Sequence, residues 1–246
     1  MIKGLYTSAQ GLAALNRQHE ATANNLANAN TSGYKRDRMV STSFPEMLFY
    51  RLNDPAQNGK DIPVGNISMG VRTGEVFTDY SGGAKRQSDN PLAVAIEGDG
   101  FFVVNTPQGE RYTKNGEFNV DATGRVITHD GHFLQGQKGD IVLTNPDFQV
   151  DRQGRVFSNG AEIDRLRIVS FTTPLTKEGS SLFAGENPVE MAQPVLCQGY
   201  VEESNVQPVE EMIKMIEVMR SYEANQKVMQ TIDGTLDKAV NEVGRV

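Results

Sequence analysis

The chain has 246 residues, a formal net charge of −7, 38% hydrophobic residues, one cysteine and no tryptophan. That acidity argues against binding the phosphate backbone of nucleic acid, which requires a concentrated basic surface. Cys197 stands alone, so an intrachain disulfide is excluded. No apolar run approaches the roughly 18 residues of a membrane-spanning helix, so membrane insertion is not expected. The length suffices for one large or two modest globular units.

The opening stretch, MIKGLYTSAQGLAALNRQ, lacks an uninterrupted apolar segment followed by a small-residue cleavage site, so no cleaved signal peptide is expected. Ile2, Leu5, Ala9, Leu12, Asn16, His19, Ala23 and Leu26 recur at heptad spacing and predict a helix. Its stop signal is Thr31-Ser32-Gly33, with Gly33 suited to a left-handed C-cap.

Residues 53–91 are rich in turn formers and low in apolar residues, with one alternating run, VRTGEVFTDY. They read as extended structure with loops, ordered partly by neighbours. From residue 92 the texture becomes short β-branched and aromatic runs broken by Gly, Asn and Asp: LAVAIEGDGFFVV, GRVIT, DIVLT, GRVFS and LRIVSFT. This predicts an all-β middle, a meander or small sandwich. NVDATGRVIT (119–128) and QVDRQGRVFS (149–158) share V-D-x-x-G-R-V, which predicts two similar hairpins turning at Gly124 and Gly154.

A second helix is expected from Pro208, capped near Ser204 or Asn205, with Glu210 and Glu211 at its positive dipole end. Met212, Met215, Met219, Tyr222, Gln226, Met229, Asp233, Leu236, Val240 and Val243 follow alternating steps of three and four. Both terminal seams are interrupted by polar residues. Such positions cost stability but specify register, which suits helices that must stack on copies of themselves.

Catalytic chemistry is not indicated. His129-Asp130-Gly131-His132 reads as a β-turn, since no HExxH pattern or Cys cluster accompanies it. Asp99 and Asp130 each sit beside glycine, which is turn chemistry. Phosphate-binding, nucleophile-elbow and dinucleotide fingerprints are absent from the sequence. Cys197, in PVLCQGYV, reads as an inert strand thiol. No catalytic residue, cofactor or metal ligand is assigned.

Four stretches in order, ANNLANANTSGYK (23–35), LAVAIEGDGFFVV (92–104), RYTKNGEFNVDATGRVITHDGHFLQG (111–136) and SNVQPVEEMIKMIEVMRSYEANQKVMQTID (204–233), resemble the bacterial flagellar rod and hook axial proteins. Length and the segment ending GNISMGVRTGEVFTDYSGGAKRQSDNPL are most similar to the distal rod protein or its close rod relative. The resemblance implies a mainly β central domain with N- and C-terminal α-helices that pair as a coiled-coil-like core. Residues 1–35 would be the N-terminal helix of that axial core, 36–91 a bracing segment, 92–203 a β-rich outer domain, and 204–246 the C-terminal helix.

It further implies a structural subunit of the basal-body rod that polymerises into a helical tube, transmits motor torque to the hook and forms part of the export channel. Its expected partners are further copies of itself, other rod proteins, the hook protein, surrounding ring proteins and the flagellar type III export apparatus. Export would proceed without a cleaved signal peptide, and the subunit would lie in the basal body, in the periplasm or cell wall. The assembly interface is expected at Leu5, Leu12, Ala23, Asn24, Asn25, Leu26, Asn28, Gly33 and Tyr34, and at Met212, Met219, Tyr222, Asn225, Met229 and Leu236. The alternatives are a secreted or surface β-domain oligomer with helical arms acting in adhesion, or a wall hydrolase, which would need converging Asp, Glu or His side chains in a cleft.

Overall fold

The computed structural model describes residues 2–54, 60–68, 70–72, 74–143 and 148–243. Helix α1 (Ile2–Ala27) lies at one end of the sequence and α2 (Pro208–Lys238), continued by a π-helical turn over Ala239–Val243, lies at the other. Among the described residues all regular structure between them is β, as expected. The chain divides into two compact units interleaved in sequence. One comprises residues 25–36 and 78–207, the other residues 1–24, 37–77 and 208–246.

The first unit is built around the strand Phe101–Thr106. It pairs antiparallel with Gly109–Thr113, with Phe133–Leu134 and with Ile168–Ser170, inside a nine-stranded sheet. Its side chains alternate between two cores, as the period of two requires. Phe102 and Val104 enter the larger core with Phe118, Val126, Leu134, Ile141, Val156, Leu166 and Leu196. Phe101 and Val103 enter a smaller aromatic one with Tyr112, Val169 and Phe183. Both faces are covered, which explains why FFVV is continuously apolar instead of alternating.

The two V-D-x-x-G-R-V segments form hairpins of the same design. Phe118–Val120 pairs with Val126–Thr128, and Gln149–Val150 with Arg155–Ser158. In each turn the Asp N–H donates to the Arg carbonyl (Asp121 to Arg125, Asp151 to Arg155), and the Gly N–H donates back to the Asp carbonyl. Gly124 and Gly154 share φ = 83°, a left-handed conformation that a side chain would strain. His129–His132 is a turn as predicted: the His132 amide carbonyl accepts from Thr128 N, and Gly131 N donates to Thr128 O.

Several expectations are corrected. DIVLT is not a strand: Asp140 and Val142 make only isolated bridges, and Ile141 and Leu143 donate their N–H groups to Leu134 and Gly124 instead. Thr144 of that run lies outside the described residues. The helix α1 ends at Ala27, six residues before Gly33, because the amides of Ala29 and Thr31 already turn back onto Leu26 and Asn28. Gly33 therefore does not cap it. Nor does Asn205 cap α2: its side chain accepts from Arg36 N and donates to the carbonyls of Asp79 and Ser81.

In the second unit, Met47–Asp54 and Lys60–Ile67 form an antiparallel hairpin, and Thr42–Ser43 pairs with Val71–Arg72. Much of the 53–91 segment is thus extended, as predicted. The residues 55–59, Met69 and Thr73 within it lie outside the described residues. Helices α1 and α2 touch in antiparallel sense: a Cβ on Gly4 would lie 3.2 Å from Ile232, and one on Gly11 2.7 Å from Asn225. Asn225 Nδ2 also donates to Ser8 O at 3.0 Å. Small residues at positions 4, 8 and 11, one helical turn apart, let the second helix approach.

Candidate functional site: an apolar helix face and a buried connector

Helix α2 is apolar around most of its circumference in its first half, so one stripe cannot cover it. Glu211, Met215, Val218, Asn225, Met229, Ile232 and Leu236 are buried or half-buried and follow steps of three or four residues, apart from one step of seven between Val218 and Asn225. A second stripe is left in solvent: Val209, Met212, Ile213, Ile216 and Met219 are 65, 44, 53, 54 and 45% exposed. Their i, i+3, i+4, i+7 spacing makes this a continuous face, unlike scattered surface apolar residues. The predicted seam therefore splits: Met215, Met229 and Leu236 lie in the shielded stripe, while Met212, Met219 and Tyr222 are exposed. The shielded stripe includes Glu211 and Asn225, polar residues that the periodicity passes over.

The hairpin of Met47–Asp54 carries a second exposed set. Met47, Leu48, Phe49 and Tyr50 are each about half exposed, and Lys3 Nζ stands 4.9 Å over the Phe49 ring. On α1, Leu5, Leu12, Ala23 and Leu26 are half-buried and Asn24 is exposed, while Ser8, Ala14, Thr22 and Asn25 are the buried positions. The most shielded line runs one step from the Leu5–Leu12 seam, again because small and polar residues occupy it.

Asn25, Gly33 and Tyr34 are enclosed within this chain. Tyr34 Oη donates to Asn25 Oδ1 at 3.1 Å, with both side chains buried. The ammonium of Lys177 sits 3.7 Å over the Tyr34 ring and donates to Lys35 O. Gly33 has φ = 71°, and a Cβ there would fall 2.4 Å from Asn115 N and 2.5 Å from Lys114 C. The glycine is required by close backbone approach. Gly33 N donates to Glu202 O at 2.7 Å, and Ser32 Oγ donates to Glu117.

Beneath this connector lies a buried ionic cluster that sequence reasoning missed. Lys35 is 0% exposed, and its Nζ donates to Glu202 Oε1 at 2.6 Å and to Ser81 O at 2.7 Å. Lys114 Nζ lies 3.4 Å from Glu202 Oε2 and donates to Gly98 O. Burial pushes the Lys114 ammonium below its ordinary range; the attraction of Glu202 opposes that shift, and Lys35 reinforces it. Burial alone would raise the Glu202 carboxyl, but Lys114, Lys35 and the Gly83 N–H hold it below its ordinary value. Three residues spread over positions 35 to 202 carry no local signal of this meeting.

No cluster of His, Cys, Asp or Glu suited to a metal is found among the described residues. The geometry presents exposed apolar faces and a buried connector.

Comparison with known proteins finds family matches in three segments of the chain. Residues 5–35 match the family Flagella basal body rod protein, residues 95–158 the Flagellar hook protein FlgE/F/G D1 domain, and residues 198–242 the Flagellar basal body rod FlgEFG protein C-terminal family. The flagellar hook-basal body complex protein FlhO of Bacillus subtilis is 32% identical over the whole of both chains. The basal-body rod protein FlgG of Buchnera aphidicola subsp. Schizaphis graminum is 32% identical over 97% of this chain and 98% of its own. FlgG of Bacillus subtilis is 29% identical over 98% of this chain and 99% of its own. With terminal helices, β-rich middle and full-length similarity all in agreement, the chain belongs to the flagellar basal-body rod protein family and is a structural rod subunit.

Proposed function

We propose that the chain polymerises head to tail into the helical tube of the rod, with α1 and α2 pairing as a coiled-coil-like inner wall and the β-rich unit outside. A heterologous contact whose rotation does not close generates an open filament from identical subunits. The exposed stripe Val209, Met212, Ile213, Ile216 and Met219 carries this reading: α2 buries a different stripe within its own chain and presents this one outward. Leu5, Leu12 and Asn24 on α1 are the matching candidates, and the exposed Met47–Tyr50 strand braces neighbours.

Burial of such apolar faces between copies contributes roughly 25 cal/mol per Å², repeated at every subunit. A tube stiffened in this way transmits motor torque to the hook and lines the export channel. Other rod proteins and the hook protein cap its ends, ring proteins surround it, and the flagellar type III apparatus delivers it. In a strain deleted for this chain, electron microscopy of basal bodies should show a truncated rod without a hook, and the cells should not swim. Complete basal bodies bearing hooks would overturn the assignment.

A further inference from the structure

Residues 32–36, which follow α1 within the β-rich unit, meet one acidic residue at several points. Glu202, on the strand Tyr200–Glu202, accepts from four positions. Its carboxylate takes the Lys35 ammonium at 2.6 Å, the Gly83 N–H at 3.0 Å and the Lys114 ammonium at 3.4 Å. Its main-chain carbonyl takes the Gly33 N–H at 2.7 Å. Other contacts on the connector include Lys35 Nζ to Ser81 O at 2.7 Å, Tyr34 Oη to Asn25, Ser32 to Glu117, Lys177 to Lys35 O and the Tyr34 ring, Arg36 N to Asn205, and Asp79 N to Arg36 O beside the Arg36–Asp79 ion pair.

We propose that Glu202 is the keystone of a charge latch that holds residues 32–36 against the β-rich unit, and that neutralising its carboxylate releases this connector while the sheet stays folded. The reason is an asymmetry in the buried charges. Two buried ammonium groups share one carboxylate, so removing the carboxylate leaves two buried cations without their shared counter-charge, whereas removing Lys114 leaves the Lys35–Glu202 pair intact. Lys35 is the only one of the two cations carried by the connector. When Glu202 is neutral, swinging Lys35 out into solvent is the cheapest relief.

The charged groups around the carboxylate are Lys35 from the connector, Lys114 from the turn after the strand Gly109–Thr113, and Asp99, which attracts Lys114. Lys177, Glu117 and the Arg36–Asp79 pair bear on the connector itself. Ser81 O remains as a neutral acceptor for Lys35, but Glu202 is its counter-charge. The consequence for assembly rests on the rod reading, since the connector is the covalent route by which load passes from α1 to the sheet. The test does not.

Hydrogen exchange on the full chain reads the latch directly. In E202Q the amides of residues 33–36 should exchange at least tenfold faster than in wild type, with Phe102–Val104 unchanged; K114M should keep the connector protected. Unchanged connector exchange in E202Q, equal loosening of connector and core, or release by K114M as large as by E202Q would each overturn the proposal. Should E202Q not fold, wild-type protein stepped below pH 4.5 replaces it. There, after correction for intrinsic rates, the connector must loosen ahead of Phe102–Val104, and simultaneous loosening counts against the latch. A motility defect with an intact latch would instead bear on the rod reading alone.

Discussion

The strand Phe101–Thr106 and the first half of α2 are both apolar on more than one face, and their fates differ. The strand finds partners on both sides within the chain: the first four residues are at most 5% exposed. The helix finds them on one side and leaves Ile213 and Ile216 more than half exposed. Equal hydrophobicity thus records an equal need for burial, while the location of the partner depends on topology. A residue enclosed by its own sheet supports the fold of one molecule; one left outside adds little to that fold and, on the proposed reading, serves association between molecules.

Substitutions can test this division, beginning where the loss is largest. Phe102 is fully buried and meets the Phe118 ring edge-on at 5.1 Å. Phe102→Ala should cost about 3–5 kcal/mol from lost transfer energy and the cavity left behind, read as a lower denaturation midpoint of the purified chain. Gly33→Ala comes next. The left-handed φ alone costs about 1–2 kcal/mol, and the added Cβ meets the backbone of Asn115 and Lys114, which yields only if the connector shifts. Denaturant titration should show that loss, and hydrogen exchange should localise it to residues 32–36.

How much of this was readable from the sequence depends on the range of the interaction. The two V-D-x-x-G-R-V hairpins were legible because aspartate, glycine and the flanking valines determine the turn locally, and each side chain acts within four residues. The order of helix, strands and helix was legible from periodicity for the same reason. The register of the helix faces was not. Met212, Met219 and Tyr222 look like an inner seam by spacing, but the inner stripe includes Glu211 and Asn225, whose burial depends on partners far away in sequence. Gly33 was recognisable as a left-handed glycine, yet its reason, contact with Asn115, was not. Lys35, Lys114 and Glu202 were invisible as a group, since charged residues are ordinarily exposed and the sequence offers no sign that these three meet.

Between the extremes lies the contact of α1 with α2. Asn225→Ala removes the donor to Ser8 O and the side chain that fills the space above Gly11. A partly buried hydrogen bond of this kind is worth about 1 kcal/mol, so the melting temperature should fall slightly and exchange should quicken in α2 rather than in the sheet. A gentler perturbation is alkali. Lys114 is held below its ordinary value of 10.5 in the folded chain. Between that lowered value and 10.5 the unfolded state binds more protons, so stability contributed by this site should rise with pH. Denaturant titrations stepped upward from pH 8 on wild type and K114M should show the rise in the first and its loss in the second.

The smallest effect on folding belongs to the residue expected to matter most for assembly. Ile213 is 53% exposed, and serine has a helix propensity similar to isoleucine, so Ile213→Ser should change unfolding stability by no more than about 0.5 kcal/mol. Phe102→Ala and Ile213→Ser then form a crossed pair. The first weakens the isolated chain; the second leaves it intact and, if the outward stripe is an association face, abolishes rod completion and swimming in cells that accumulate the protein normally. A Ile213→Ser strain that swims as wild type would return the stripe to ordinary surface and move the search for the association face to the Met47–Tyr50 strand. An Ile213→Ser chain that unfolds early would instead show that α2 relies on that face within its own molecule, collapsing the distinction between a residue buried for folding and one reserved for a neighbour.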